Sequence, residues 1–238
     1  MARQAVIRHI TGELPHKTSS RLRDFILGWQ DGLVNVLGVI LGVAAATNDA
    51  RIVIIAGLAA TFAESISMMA VAYTSFKAEL DFYKAERRKE ELEVRDIPEV
   101  ERKEIRDIFG KMGFRGSLLA KAVKHITANR KRWIDTMMQM ELGLSPPKHS
   151  PLNIAAVVGA SAFVGSFIPL MPFVLLPVKI AVLVSLAVAV AVLFFVGAYK
   201  ARTTMGGWLR GGLEMALIGM VAALVGYGIG AWAGAVLV

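Results

Sequence analysis

Three groups of side chains have the types and spacing to hold a metal ion if the chain brings them together. Glu90 and Glu93 stand three residues apart, Glu101 and Glu104 repeat that spacing, and Met137, Met138 and Glu141 follow within the stretch WIDTMMQMELGL. Residues three or four apart share a helix face, so each group can offer oxygen or sulfur donors to a common point. The same residues also fit a plainer description. Glutamates on basic helices commonly form surface ion pairs worth little, and methionines at helical spacing commonly fill a core.

A second set lies in strongly apolar sequence. Asp31 is the only charge between Phe25 and Ala46, and Glu64 the only one between Ile52 and Phe76, with Met68 one helical turn after it. A carboxylate inside a bilayer is costly and is therefore a functional candidate by default. Two carboxylates and a thioether facing a bundle interior suit a divalent transition ion better than magnesium or calcium, which prefer all-oxygen shells. Against this, Asp31 could pair near the interface with Arg21 or Arg23, and Met68 and Met69 could simply pack. Glu214, beside Arg210, is a weaker candidate of the same kind.

The elements that must carry these residues are legible from the charges. Of 238 residues, 55% are hydrophobic and 22 are glycine, and the mean hydropathy is +0.54; an ordinary soluble domain is far more polar. Besides the two runs around Asp31 and Glu64, Leu152 to Val178 and Ile180 to Tyr199 carry no charge, and Gly211 to Val238 carries only Glu214. Each run is about the 20 residues a helix needs to span a bilayer core. No alternating pattern suggests a barrel, and backbone groups in lipid must be paired within each segment. The expected fold is an all-α membrane protein with five transmembrane helices.

Between the second and third spans lies a charged block, 77–148, with 13 of the 19 acidic and 17 of the 27 basic residues. So much charge over that length predicts a soluble helical domain rather than a loop. Its first helix continues the second span without glycine or proline until Pro98; a second runs from Pro98 to about Lys111; a third runs from about Ser117 to Leu142, ended by Gly143 and Pro146-Pro147. The expected organisation is an N-terminal arm over 1–23, spans one and two over 24–76, the three-helix insert over 77–148, and spans three to five over 149–238.

Lysine and arginine bias sets the expected orientation. Arg3, Arg8, Lys17, Arg21 and Arg23 precede span one, and Lys200, Arg202 and Arg210 lie between spans four and five, whereas the other short turns offer only Arg51 and Lys179. The N-terminus and the insert are accordingly expected in the cytoplasm and the C-terminus outside. The arm MARQAVIRHITGELPHK has no apolar core followed by a cleavage site, so it reads as an interfacial segment rather than a signal peptide. Short tails without a targeting segment lean toward a prokaryotic plasma membrane.

Several function classes fall away. There is no GxxxxGK[ST] loop to drive an ATP pump, no HExxH and no Ser-His-Asp or Cys-His set for a hydrolase. His9, His16, His125 and His149 have no ligand spacing, and the Glu-x-x-His pairs of a di-iron oxidase are missing. With no cysteine, disulfides and thiolate sites are excluded together. The net charge of +8 reads as attraction to anionic headgroups, not to nucleic acid. Gly38, Gly42 and the glycines from Gly219 to Gly234 allow close helix approach, in dense packing or at a dimer seam. Pro169, Pro172 and Pro177 are expected to shape the turn between spans three and four.

RDFILGWQDGLVNVLGVILGVAAA, SISMMAVAY, the paired glutamates of the insert, WIDTMMQMELGL and GSFIPLMPF together resemble the vacuolar iron transporter family, over nearly the whole chain from Arg23. The resemblance implies a homodimer in the lipid bilayer that exchanges cytoplasmic ferrous or manganous ions for protons, with zinc and cobalt as further candidate cargo, no prosthetic group and no enzymatic activity. It implies a metal path at the subunit interface and a cytoplasmic metal-binding domain formed by the long second span and the insert. On the family pattern, Glu90, Glu93, Glu101, Glu104, Met137, Met138 and Glu141 match the insert ligands, and Asp31 and Met68 match residues of the path. One departure stands out. A family glutamate two turns before the span-two methionine is Ala60 here, while Glu64 sits one turn later, and the glutamate that often follows in SMAAGEY is lost in SMMAVAY. Glu64 is read as the displaced carboxylate. Two other functions compete with proton exchange: a passive divalent-metal channel, and a membrane-anchored, metal-responsive interaction module.

Overall fold

The computed structural model describes residues 18–147, 149–203 and 206–237. The arm expected to lie at the interface, residues 1–17, falls outside them. The described residues form helices and connecting turns, with no strand among them. In chain order the helices are α1 (Thr18–Thr47), α2 (Ala50–Asp96), α3 (Pro98–Lys111), α4 (Gly116–Thr127), α5 (Arg130–Met140), α6 (Pro151–Leu175), α7 (Val178–Thr203) and α8 (Trp208–Leu237). Five of them, α1, α2, α6, α7 and α8, are long and apolar enough to cross a membrane. The chain divides into two compact units, one of residues 1–73 with 152–238 and one of 74–151.

In the first unit α1 is the helix around which the others pack. Leu33, Val36, Leu37, Ile40 and Leu41 are essentially buried, in one cluster with Leu170 and Phe173 of α6, Leu193 of α7 and Ala223 of α8. Glycine makes the approach close. A methyl group on Gly28 or Gly32 would overlap the carbonyls of Val158 or Ala162 on α6, and one on Gly226 or Gly230 would overlap the backbone at Gly38 or Gly42. The small-residue stripes of α1 and α8 therefore pack on each other within one chain, which decides between the two uses their spacing allowed. The paired positions advance in step along α1 with both α6 and α8, so spans one, three and five run in the same direction, as alternate crossings require. Ile55, Ile66, Leu183, Phe195, Leu217 and Trp232 are exposed on the outside of the unit, an arrangement suited to lipid rather than water.

The turn between α1 and α2 has a local cause. Asn48 takes the left-handed conformation with φ 49°, one of the few residues that adopts it readily, and the Asp49 carboxylate accepts the Arg51 N–H at 2.7 Å as an N-cap. From there α2 runs unbroken for 47 residues.

Two expectations need correction. Pro169 and Pro172 do not shape a turn: both are buried inside α6, which continues to Leu175. Proline removes a helix N–H and frees a carbonyl upstream, but neighbouring helices can absorb the irregularity in a membrane bundle. The carbonyls these two prolines leave without an N–H are those of Gly165 and Ile168; separately, Ser185 of α7, fully buried, donates its hydroxyl to the Pro169 carbonyl at 2.7 Å and ties α7 to α6. Pro177 alone lies at the turn, its carbonyl accepting the N–H groups of Ile180 and Ala181.

The expected third helix of the insert, Ser117 to Leu142, is two helices. α4 stops at Thr127, and α5 starts at Arg130 behind Asn129, whose side chain accepts the Arg132 N–H at 3.0 Å. Asparagine competes with the helix backbone through such bonds and favours caps over interiors. In this second unit Val94, Ile105, Phe109, Val123, Trp133, Ile134, Met137 and Met138 form the core. Arg87 of α2 pairs with Asp135 of α5 at 2.6 Å, and the Arg130 guanidinium donates to the Glu91 carbonyl. Gly113 and Gly116, at φ 97° and 56°, make the turn between α3 and α4.

Candidate metal centres

The second unit gathers the glutamates that the sequence offers in separate pieces. Glu90 on α2 and Glu101 on α3 are 4% and 3% exposed. Each has one carboxylate oxygen, Oε2, buried without a hydrogen-bond partner. A buried carboxylate without partners disfavours its own charge. Burial, followed by the charges of Glu141, Glu93 and Glu104, pushes the Glu90 carboxyl up to about 7, with Lys89 opposing. Burial, followed by Glu104, Glu90, Glu93 and Glu141, does the same for Glu101, also to about 7. Glu141 is raised by burial and by Glu104 and Glu93.

Five glutamates from three stretches of chain thus share one electrostatic environment that is short of positive charge. A divalent cation supplies what such a cluster lacks, displacing protons as it enters. Among the described residues no three acidic or imidazole side chains stand at coordination geometry for one ion. Met137 and Met138 are fully buried in the apolar core beside Trp133 and Ile134. Their packing matches the plainer description that the sequence allowed for them.

The first unit brings Asp31 and Glu64 together. The Glu64 side chain is in hydrogen-bonding contact with Asp31 and with Asn35, both on α1. Two carboxyl groups hold such a bond only by sharing a proton, and a cation between them can take that proton's place. Asn35 is the residue the sequence reading missed. Its signal was available, since it stands one turn after Asp31 on the same helix face. Met68 is half-buried one turn beyond Glu64. Ala60 packs against the apolar cluster around α1. Glu214 lines a different cavity, with Lys200 and Arg210.

A bundle of five membrane-length helices, with a carboxyl pair on two of them and a buried glutamate cluster in a separate helical unit, defines a multi-pass membrane protein. Residues 22–231 match the model of the VIT family, and the chain belongs to that family, whose members are transporters and not enzymes. It is 33% identical over 228 residues to vacuolar iron transporter 1 of Arabidopsis thaliana, spanning 94% of this chain and 90% of that one. It is 30% identical over 230 residues to the vacuolar iron transporter of Plasmodium falciparum, spanning 92% and 84%. With protein CCC1 of Saccharomyces cerevisiae it is 29% identical over 212 residues, 85% of this chain and 66% of the yeast protein.

Proposed function

We propose that this protein moves ferrous iron, and manganous ion with it, across a membrane in exchange for protons. The observation that carries the proposal is the contact between Asp31 and Glu64 on two membrane-length helices. That contact suits one proton or one cation, and each turnover exchanges one for the other. The names of the relatives support iron as the cargo. Zinc and cobalt are competing ions, because late first-row metals bind most such sites tightly.

In this scheme the unit of residues 74–151 is a cytoplasmic metal-binding domain. Its glutamates, Glu90, Glu93, Glu101, Glu104 and Glu141, collect scarce metal at the price of their protons. Met137 and Met138 add sulfur where the ion reaches the core. Asp31, Glu64 and Met68 form the path through the bilayer, with Asn35 orienting Glu64. In this reading the chain works as a homodimer, with the N-terminus and the glutamate cluster in the cytoplasm and the C-terminus outside, an orientation that the bias of lysine and arginine toward the turns on one side supports. Export of excess metal follows, whether across a plasma membrane or into a vacuole, which is topologically equivalent.

The test is ferrous uptake into proteoliposomes with and without an imposed proton gradient, acid inside. Exchange makes uptake faster under the gradient, whereas a passive channel takes up iron at a rate that ignores it. Wild-type protein that moves no iron under either condition leaves only an anchored interaction module.

A further inference from the structure

We propose that α4 and the turns on either side of it form a basic surface that docks on an anionic lipid bilayer. Between Asp107 and Asp135 the chain carries seven lysines and arginines and no acidic residue. All 13 acidic residues of 77–148 lie outside that stretch. The helical unit of residues 74–151 therefore has an acidic part, which holds the glutamate cluster, and a separate basic part.

The cations are available. Lys111, Arg115, Lys121, Lys124, Arg130 and Lys131 are all exposed, and among the described residues none of the six pairs with a carboxylate. Arg115 and Arg130 donate to backbone carbonyls, the first to those of Gly110 and Phe114 and the second to that of Glu91. α4 packs on the core of its unit through Leu119, Ala122, Val123 and Ile126, which turns Lys121 and Lys124 outward. Leu118, one turn before Lys121, is 60% exposed, and Met112 in the preceding turn is 58% exposed. Ammonium groups around single apolar side chains suit a headgroup layer, where the charges meet phosphates and the apolar tips reach past them. Lysine and arginine clustered on an amphipathic helix have the chemistry of an anionic-headgroup site.

Connectivity and charge favour a bilayer over other occupants. Only Ile97 separates α2 from α3, and Tyr83 and Val94 of α2 share a core with Ile105, Phe109 and Phe114. α3 therefore runs back along α2, and the turn from Lys111 to Arg115 lies at the end of the unit where α2 enters it. The chain on both sides of the unit continues in membrane-length helices, so a bilayer is present at high local concentration. A second copy of this face would oppose like charges, and the arm 1–17, with Arg3, Arg8 and Lys17 against Glu13, is basic as well. α4 carries none of the five glutamates, so docking through it leaves them open to metal.

The chain has no cysteine, so Leu118→Cys accepts one environment-sensitive fluorophore in the full-length protein. In vesicles of phosphatidylcholine mixed with phosphatidylglycerol its emission should shift to the blue. The shift should be absent in phosphatidylcholine alone and should reverse in molar salt, which screens exposed charge. Lys121→Gln together with Lys124→Gln should lower the docking equilibrium roughly 25-fold, about fivefold per cation. Both lysines are exposed, so the double variant should keep its unfolding temperature; if it does not, Lys111→Gln with Lys131→Gln carries the test. Val100→Cys, 49% exposed on the first turn of α3, is the control and should not shift. Equal emission from the Leu118→Cys label in both kinds of vesicle overturns the proposal, and is the result that an acidic protein partner would give. A blue emission already present in phosphatidylcholine and stable in molar salt would assign the face to a second copy of the chain. A shift at Val100→Cys as large as that at Leu118→Cys would make the attraction a property of the whole unit, and either result overturns docking through α4.

Discussion

Glu90 on α2 and Glu101 on α3 each bury a carboxylate oxygen that accepts no hydrogen bond, and the charge of Glu90 helps to push the Glu101 carboxyl up to about 7. A fold that needed these residues only for solubility would leave them in water. Their burial beside three further glutamates is a standing demand for protons or for metal.

Metal binding to this cluster is expected to weaken as pH falls through 7, because Glu90 and Glu101 then hold the protons a cation must displace. Affinity should fall about tenfold per pH unit for each proton displaced. Calorimetry in buffers of different ionisation enthalpy reads both the affinity and the protons released. Binding that does not change between pH 6 and 8 would count against the cluster.

The same shifts give stability a definite sign. Both carboxyls are raised in the folded state, so the protonated fold is favoured at low pH and that contribution is lost as pH rises from the unfolded value near 4.5 through about 7. Manganous ion should therefore raise the unfolding temperature of the glutamate-bearing unit more at pH 8 than at pH 5.5. An equal rise at both values would show that metal acts elsewhere.

Met137 and Met138 separate packing from ligation by substitution. Both are fully buried, so Met137→Ala or Met138→Ala should destabilise by about 2–5 kcal/mol. Leucine keeps the volume and should stay within about 1.5 kcal/mol. If the thioethers bind metal, the leucine variants lose affinity for ferrous and cobaltous ions and keep it for magnesium. Unchanged affinities for all three would leave the methionines as core residues alone.

Glu64 and Ala60 are not interchangeable in this fold. Ala60 packs against the apolar cluster around α1, while Glu64 touches Asp31 and Asn35. Glu64→Ala should abolish iron uptake, and adding Ala60→Glu should fail to rescue it and should lower the unfolding temperature. Rescue would mean that the carboxylate works from either height.

The seam between α1 and α8 can be tested with two neighbouring glycines. A methyl group on Gly230 meets the Gly42 backbone, whereas one on Gly228 meets nothing within 4 Å. Gly230→Ala should destabilise by about 1–3 kcal/mol and Gly228→Ala should be tolerated, as thermal unfolding in detergent will read.

Much of this was legible in the sequence. Charge-free runs of membrane length are set by the cost of burying charge in lipid, a one-dimensional constraint, and α1, α2, α6, α7 and α8 follow from it. The unbroken α2 was equally plain from its helix formers before Pro98. What escaped lay in packing and in a single local bond. Pro169 and Pro172 stay buried inside α6, which no local pattern announces, and the break at Asn129 turned on one capping bond to Arg132 in a sequence whose pattern is otherwise helical. At the site, spacing proposed the glutamates but could not rank them. Only the fold distinguishes Glu90 and Glu101, buried with orphaned oxygens, from the rest, and only the approach of α2 to α1 shows Asn35 touching Glu64.

The most direct test of proton exchange at the carboxyl pair follows iron and protons together in proteoliposomes carrying an internal pH dye. Wild type, Asp31→Ala and Glu64→Ala are compared at equal incorporation. The expected result is iron entering as protons leave, with both fluxes lost in either variant. Iron entry with no change in internal pH, or uptake that survives the loss of Asp31 or Glu64, would contradict exchange through this pair.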